Sequence, residues 1–336
     1  MNRPAIVLAG VVVALSLVLP ASPADARKPN LPLAHVRDVR LPGSASRFDY
    51  QDIDPTRNRL FIAHLGANQV DVVDLLTLQV AGVVHAIPGV HGVRAVPDLG
   101  IAYASATSTD TVVAIDASAL TIRFDAPTGD FPDGLAYDPD DRAVFVSNKN
   151  AGSVTSFDAA TGQQRRAVKL GDETGNVTYD PGSHAVFAAA RTPDQLVSLD
   201  PQTGDITAQV DLPTCKGAHG IYLEPTARLA FVACERNARL SVVDLTAMKQ
   251  VLTHSVGKDP DVLAYDPELR RLYVASESGI VAVFELRGSS LVKLGQTKLA
   301  DRAHSVAVDQ ATHRVFFPLE DVRGHPVLRV MRPTGS

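Results

Sequence analysis

A turn motif recurs along this chain at a nearly constant spacing. Asp-Pro pairs stand at 54–55, 138–139, 180–181 and 266–267, and Val96-Pro97, Glu224-Pro225 and Asp309-Gln310 take the equivalent places. The first residues of these seven turns are 42, 42, 42, 44, 42 and 43 residues apart. Self-similarity at such a period is typical of a repeat architecture, so each repeat is one supersecondary unit that must stack on its neighbours.

The third repeat shows what each unit contains. Short runs rich in apolar residues lie at 135–137, 144–146 and 154–157, with turn residues at 138–141 and 148–152 between them. A further segment, 166–170, follows the turn Ala159-Ala-Thr-Gly162. Pro presets φ in such turns, and Asp side chains accept hydrogen bonds from the local backbone. The pattern predicts a four-stranded antiparallel sheet.

Seven such units, with no helical pattern between them, predict an all-β fold, a seven-bladed β-propeller. Six units are complete between Phe48 and Leu299, but the seventh has only three strands, near Val306, Val315 and Val327–Met331. The segment His35–Leu41 resembles the fourth strands of the other units. We therefore expect this N-terminal strand to complete the last blade and close the ring.

Two repeats carry a recognisable motif. Val144-Phe-Val-Ser-Asn148, with Ser153-Val154 and Asp158, resembles the YVTN β-propeller repeat. Leu272-Tyr-Val-Ala275 and the turn Pro132-Asp133-Gly134 are also similar to it, whereas the second and last units lack the Asn and Thr of the motif. The resemblance covers residues 27–336 and implies the propeller fold. It leaves function open, since the family includes surface-layer modules, periplasmic binding proteins and relatives of lactonases and lyases.

The first 26 residues read as a signal peptide. Arg3 is followed by the apolar run Ala5–Leu19 and by a small-x-small cleavage site, Ala24-Asp-Ala26. We expect cleavage after Ala26, a mature propeller domain over residues 27–336 and a periplasmic or secreted protein without a membrane span. An uncleaved N-terminal anchor is the alternative.

The composition argues against several classes of binding partner and cofactor. The net charge of −5 gives no electrostatic basis for binding nucleic acid, and Trp is absent. No Cys-x-x-Cys-His motif and no Gly-rich phosphate loop occur, so we expect neither haem nor a nucleotide cofactor. A monomer that binds a small ligand or a protein at one face is the expectation.

The residue five positions before each turn starts a predicted first strand and should face the propeller axis. We call these seven residues the axial ring: Asp49, His91, Asp133, Gly175, His219, Asp261 and His304. Three of the ten histidines of the chain share this register with three aspartates. Imidazole and carboxylate are ligands for divalent or transition metals, which gives one interpretation. The others are an organic-ligand pocket with a His general base, and an inert, solvated ring at the channel mouth.

A second set of residues follows the second strands on the same face: His64, Lys149, Arg191, Glu235, Glu277 and Glu320. A solvated rim is the plainer interpretation and a site for charged ligands the other. Arg94 lies inside a first strand and is predicted to reach the channel, as an anion contact or paired with an Asp.

The two cysteines, Cys215 and Cys234, fall where hairpin pairing in the fifth unit brings them together. An oxidising compartment favours a disulfide. The alternative is that one of them joins His219 as a metal ligand.

The leading functional hypothesis is an exported, noncatalytic propeller that binds a metal ion, small ligand or protein at the channel-mouth face. The alternative is a metal-assisted lyase or lactonase-like hydrolase, with His219 or His304 as the proton-transfer group.

Overall fold

The protein folds as seven four-stranded antiparallel sheets, as shown by a computed structural model that describes Met1 and residues 31–335. The predicted signal peptide lies outside the described residues, apart from Met1. Blade 1 comprises β2 Gln51–Asp54, β3 Arg59–His64, β4 Gln69–Asp74 and β5 Gln79–Val84. Blade 2 comprises β6 Val90–Val96, β7 Ile101–Ala106, β8 Thr111–Asp116 and β9 Ile122–Pro127. Blade 3 comprises β10 Pro132–Asp138, β11 Ala143–Asn148, β12 Ser153–Asp158 and β13 Gln164–Lys169.

The remaining blades repeat this order. Blade 4 comprises β14 Thr174–Asp180, β15 Ala185–Ala190, β16 Gln195–Leu199 and β17 Ile206–Asp211. Blade 5 comprises β18 Ala218–Glu224, β19 Leu229–Cys234, β20 Arg239–Asp244 and β21 Lys249–Ser255. Blade 6 comprises β22 Pro260–Asp266, β23 Arg271–Ser276, β24 Ile280–Arg287 and β25 Ser290–Lys298. Blade 7 comprises β26 Ala307–Asp309, β27 Arg314–Leu319, β28 Val327–Pro333 and, as its outer strand, β1 Leu33–Arg40.

The predicted ring closure is confirmed. β1 pairs antiparallel with β28 from Leu33 opposite Pro333 to Arg40 opposite Val327. Leu33 and Val39 are buried, and Asp38 accepts two hydrogen bonds from Arg329, at 2.9 and 2.7 Å. The first and last strands of the domain are thus held in one sheet.

In the turns that recur with the repeat, the Asp side chain accepts hydrogen bonds from the backbone of the same turn. The Oδ1 atom of Asp54 accepts hydrogen bonds from the backbone N–H groups of Thr56 and Arg57, at 2.9 and 3.1 Å. Asp138 does the same for Asp140 and Asp141, at 2.9 and 3.2 Å. A short carboxylate that bonds the backbone two and three residues on stabilises a tight turn, which explains why Asp recurs there.

The hydrophobic cores lie between neighbouring blades. One cluster joins Phe61 and Val72 of blade 1 to Val93 and Ala104 of blade 2, and similar clusters join the other blades. The middle strands are buried on both faces, which is typical of strands that are apolar nearly throughout. No helix in the described part of the chain is long and apolar enough to cross a membrane.

The predicted disulfide is present. Cys215 and Cys234 are bonded in blade 5, with Cα atoms 5.1 Å apart and both side chains fully buried. The alternative, a cysteine ligand beside His219, is therefore not the arrangement found. A disulfide is consistent with a periplasmic or extracellular location.

Removal of β1 should destabilise the whole ring. A protein that begins at residue 42 is expected to lose at least about 3 kcal/mol of unfolding free energy relative to one that begins at residue 31, because burial of Leu33 and Val39 is lost. Urea unfolding followed by circular dichroism measures the difference. Val36→Ala, at an exposed position of the same strand, is the control and should leave the midpoint unchanged. Equal midpoints for the two lengths would contradict the closure.

Candidate functional site

The axial ring lies where the first strands leave regular pairing. In blades 2 to 6 the register between first and second strands skips two residues, for example between Val90 and Val93 and between Ala218 and Ile221. The skipped residues include the ring member of each blade. A bulge of this kind redirects side chains from the sheet faces. In blades 1 and 7, Asp49 and His304 precede the paired strand.

The predicted ring residues converge, but in a buried site rather than at a solvated mouth. Relative exposure is 2% for Asp49, 5% for Asp261 and 1% for His304, and Asp133 and His219 are also buried. The side chain of His91 is 17% exposed. Of the three interpretations of the ring, the solvated mouth does not fit this burial. Buried charges must be paired or neutralised, so this ring has tight electrostatic constraints.

Asp261 is the best-connected carboxylate of the ring. Its Oδ1 atom lies 3.2 Å from Nε2 of His219 and accepts a hydrogen bond from the hydroxyl of Tyr50 at 2.9 Å. Burial raises the pKa of Asp261, but the hydrogen bond and the charge of His219 outweigh it and hold the pKa well below its usual range. Burial lowers the pKa of His219, but the hydrogen bond to Asp261 and the negative charge of that carboxylate raise it above its usual value. His219 and Asp261 thus form a buried ion pair.

Asp49 is the poorly compensated carboxylate. Its Oδ1 atom is buried without a hydrogen-bond partner, and its Oδ2 atom lies 3.5 Å from Arg47 and 4.0 Å from Nε2 of His91. Burial and the negative charge of Asp261 raise the pKa of Asp49 to about 8. A carboxylate in this state gains from any cation placed beside it.

Two histidines present their Nε2 atoms to these carboxylates. Nδ1 of His304 lies 2.8 Å from the carbonyl oxygen of Arg302, and Nδ1 of His91 lies 2.7 Å from that of Gly89. A carbonyl only accepts, so Nδ1 carries the proton in both rings, and the neutral ring has its lone pair on Nε2. Burial lowers the pKa of His91, which favours the neutral form. Nε2 of His304 is buried, has no hydrogen-bond partner and lies 4.0 Å from Asp261.

Asp49, Asp261 and His304 have the spacing of a cation site. One ligand atom from each lies within 4.8 Å of the others, and all three residues are buried. Ligand atoms bound to one cation at about 2.0–2.6 Å are at most about 4–5 Å apart. The hydrogen bond from Nδ1 of His304 to a backbone carbonyl is the support that metal-binding imidazoles usually have.

Arg47 and Glu277 cover this trio on the side of the loops that enter the first strands, here called the loop side. Nη2 of Arg47 lies 2.5 Å from Glu277 and 3.5 Å from Asp49. Glu277 also lies 3.5 Å from Nδ1 of His304. The guanidinium therefore supplies positive charge to the acidic site, and its side chain is partly exposed.

The other side of the ring is closed by a hydrogen-bonded pair that we call the bar. The amide of Asn176, in blade 4, donates a hydrogen bond to the hydroxyl of Tyr50, which precedes blade 1. The bar crosses where blades 2, 3 and 5 have Gly92, Gly134 and Gly220. A Cβ at Gly134 would lie 2.3 Å from Oδ1 of Asn176, so the close approach requires glycine there.

Beyond the bar the channel widens into a cavity of about 660 Å³, which we call the turn-side cavity. Tyr50 and Asn176 form its floor, and the rim consists of turn residues such as Pro55, Pro181 and Pro225. This cavity therefore opens at the end of the channel opposite the axial ring. Arg94 lines this cavity beside Asp52, as the sequence predicted.

The second predicted set is only partly a rim. His64 is fully buried and bonds Asp71 and Ser46 at 3.0 Å each, so it is structural. Arg191 is 5% exposed and pairs with Glu173 and Glu235. Glu277, whose side chain is 25% exposed, pairs with Arg47 beside the ring, and Glu320 approaches Arg302 at 4.0 Å. The solvated-rim interpretation is wrong for His64 and Arg191, because both side chains are buried.

Sequence reasoning missed Arg47, Tyr50 and Asn176. Tyr50 and Asn176 stand four residues before their turns, where three other repeats have glycine. A comparison of the seven repeats at that position would have identified Tyr50 and Asn176, because their side chains are much larger than the glycines of the other three. Arg47 lies in the loop after β1 and has no comparable signal.

The protein shares its fold with many solved structures. A chain of Kuenenia stuttgartiensis hydrazine synthase superposes with a TM-score of 0.73 at 16% identity, covering 92% of this chain and 99% of that one. A chain of the mitotic checkpoint complex gives 0.77 at 13%, covering 98% and 100%. The WD40 repeats of RRP9 give 0.74 at 10%, covering 91% and 99%.

These likenesses establish the fold of this chain, a seven-bladed β-propeller with WD40-like architecture. No family model matches the sequence, and no curated protein matches it significantly. At 10 to 16% identity the solved structures establish the fold alone.

The raised pKa of Asp49 predicts a pH-dependent stability. In the unfolded chain this carboxyl titrates near pH 4, and in the folded protein at about pH 8. Its stabilising contribution is therefore fully present below pH 4 and is lost as the pH rises through 8. Asp49→Asn removes the loss, so the variant should become more stable relative to the wild type from pH 5 to pH 9, by up to about 1.4 kcal/mol per pH unit.

Thermal unfolding in buffers that contain EDTA measures this shift. The control is Asp125→Asn, at an exposed position of β9, which should differ from the wild type by the same amount at every pH. A constant difference for Asp49→Asn as well would show that Asp49 titrates normally.

Proposed function

We propose that the protein is an exported propeller of the YVTN type that binds one divalent metal ion at Asp49, Asp261 and His304. The observation that carries the proposal is the Nε2 atom of His304. It belongs to a side chain that is 1% exposed, has no hydrogen-bond partner and shares a cluster with two carboxylates. An unpaired buried acceptor beside an uncompensated carboxylate is costly unless a cation satisfies both.

The donor set favours a particular group of metals. Two carboxylates and an imidazole nitrogen suit Zn²⁺ or Mn²⁺ better than Ca²⁺, which prefers oxygen ligands alone. His91 lies 4.0 Å from Asp49, and Asp133 lies 3.9 Å from His219. These neighbours would orient the ligands or complete the set. The ion would replace part of the positive charge that Arg47 gives to Asp49.

Export is part of the same proposal. The signal-peptide pattern of residues 1–26 and the Cys215–Cys234 disulfide both support a periplasmic or secreted protein. We further propose that the mature protein is a monomer and that its loop side, where Arg47 and Glu277 lie over the ion site, faces the small ligand or protein partner.

Metal analysis tests the proposal. The untagged protein, loaded with Zn²⁺ or Mn²⁺ and then dialysed, should retain about one ion per chain. His304→Ala and Asp49→Asn should each weaken binding at least about tenfold, as loss of a ligand or its support does. Isothermal titration and mass spectrometry of the metal content give the two readouts.

His85→Ala, at an exposed position, is the matched control and should bind like the wild type. Failure of the wild type to retain either ion would overturn the proposal, as would unchanged affinity in His304→Ala. In that case the polar ring is structural, and the triple replacement of His91, His219 and His304 by Ala should lower the unfolding temperature sharply.

A metal-assisted lyase or lactonase-like hydrolase is the second candidate. It is favoured by His219, a buried imidazole 3.2 Å from Asp261 whose Nδ1 atom has no hydrogen-bond partner. An imidazole oriented by a carboxylate is a competent proton-transfer group. His304, the other histidine considered for this role, would be occupied by the metal and by the Arg302 carbonyl.

Turnover of a lactone panel tests this second candidate. If it is correct, the metal-loaded protein opens a lactone ring, and His219→Ala lowers kcat by about 100-fold or more while it retains the ion. Metal content is measured on the same samples. The absence of turnover, with metal bound, would leave the binding function and reject the enzyme.

A further inference from the structure

The turn-side cavity is separate from the axial ring. The Tyr50–Asn176 bar lies between them, and the cavity opens at the opposite end of the channel. Its volume of about 660 Å³ is in the range of small-molecule pockets. The wall is mixed: apolar side chains such as Ile53, Leu135, Ile221 and Leu263 alternate with polar and charged groups. Besides Tyr50, the wall contains Tyr179, Tyr222 and Tyr265. The charged groups are distributed unevenly among the blades.

The unevenness comes from the residues two positions before each turn. These are Asp52, Arg94, Ala136, Thr178, Tyr222, Ala264 and Ala307. All but Ala136 line the cavity. Small side chains on three blades leave the space open, while blades 1 and 2 contribute a charged pair and blade 5 a tyrosine. The wall formed by blades 1 and 2 is therefore the one that carries a positive charge.

Arg94 is the one basic residue among the described residues that line the cavity. Its side chain is 46% exposed, and its nearest carboxylate is Asp52, with Nη1 3.6 Å from Oδ2. That distance is beyond a hydrogen bond, and Oδ2 of Asp52 already accepts one from the backbone N–H of Ala95 at 2.9 Å. Within residues 31–335 the guanidinium makes no hydrogen bond, so its donors are available to a ligand.

Tyr222 stands three blades away from Arg94 and lines the same cavity. Burial raises the pKa of its hydroxyl to about 12 although the charge of Arg94 lowers it, so the hydroxyl remains a donor. Its ring centroid lies 5.7 Å from that of Tyr265, which also lines the wall. An aromatic surface thus faces the guanidinium across the cavity.

The other carboxylates of the lining are already engaged. Asp180 is fully buried and pairs with Arg228 at 2.6 Å. Asp309 caps its turn through the hydroxyl of Thr312 at 2.5 Å and the N–H of Ala311 at 3.1 Å. Neither is placed to pair with Arg94, so the guanidinium remains the group best placed to select a ligand by charge.

We propose that the turn-side cavity binds a small organic anion, with its carboxylate or sulfonate on Arg94 and its apolar or aromatic body against the tyrosines of the wall. This site requires neither the metal ion nor the loop side. A guanidinium binds such groups through two parallel hydrogen bonds, and their charge strengthens both. The aliphatic side chains and the tyrosine rings of the wall contribute affinity through the apolar area removed from water.

Two fluorescent probes with the same aromatic framework test the proposal. Anilinonaphthalene sulfonate has one anionic group, and N-phenylnaphthylamine lacks it. The folded protein should bind the sulfonate at one site per chain, with or without EDTA. Arg94→Ala should weaken that binding about tenfold or more, as loss of a charge-assisted hydrogen bond does, and leave the neutral probe unchanged. Asp52→Asn should strengthen binding of the sulfonate, because the competing carboxylate is neutralised.

Arg37→Ala, at an exposed position of β1, is the control and should bind both probes like the wild type. Thermal unfolding of each variant shows whether the fold is retained, and Arg94→Lys provides a second variant that keeps the charge but not the paired donors. Absence of sulfonate binding by the folded wild type would overturn the proposal. Equal losses for both probes in Arg94→Ala, or none for either, would do the same.

Discussion

The pairing of Leu33–Arg40 with Val327–Pro333 joins the two ends of the domain in one sheet, and the central channel depends on it. Each blade buries its faces only against its neighbours, so an open ring would expose the apolar faces of blades 1 and 7. Closure also fixes the distances across the axis. Asp49 and Asp261, which are five blades apart in sequence, meet His304 only because the ring is complete.

The buried ring places acidic groups where water cannot solvate them. Asp261 is stabilised by His219 and Tyr50, whereas Asp49 has only Arg47 and a distant imidazole. The pKa of Asp261 is consequently held well below the usual value for Asp, whereas that of Asp49 is raised to about 8. Such divergence within a few ångströms is typical of sites that bind cations or transfer protons.

The repeat period was sufficient to predict the fold, because a spacing of 42 to 44 residues and a shared turn define a blade without any knowledge of its neighbours. The same register identified the ring residues, since every blade delivers that position to the axis. The spacing could not show how far the side chains are buried. That depends on loops such as the one with Arg47, which has no counterpart in the repeat.

The sequence also left the contacts across the axis undetermined. Tyr50 and Asn176 are 126 residues apart, and their hydrogen bond depends on blades 1 and 4 lying nearly opposite each other. The hydrogen-bonded pair closes the channel between the axial ring and the turn-side cavity, so a solute cannot pass from one end to the other. A solute that entered between the prolines of the rim would stop at the Tyr50 hydroxyl and the Asn176 amide. Under the proposed function, the metal ion would reach the carboxylates from the loop side, past the Arg47 guanidinium. The two ends of the channel are therefore separate compartments, each reached only from its own side of the propeller.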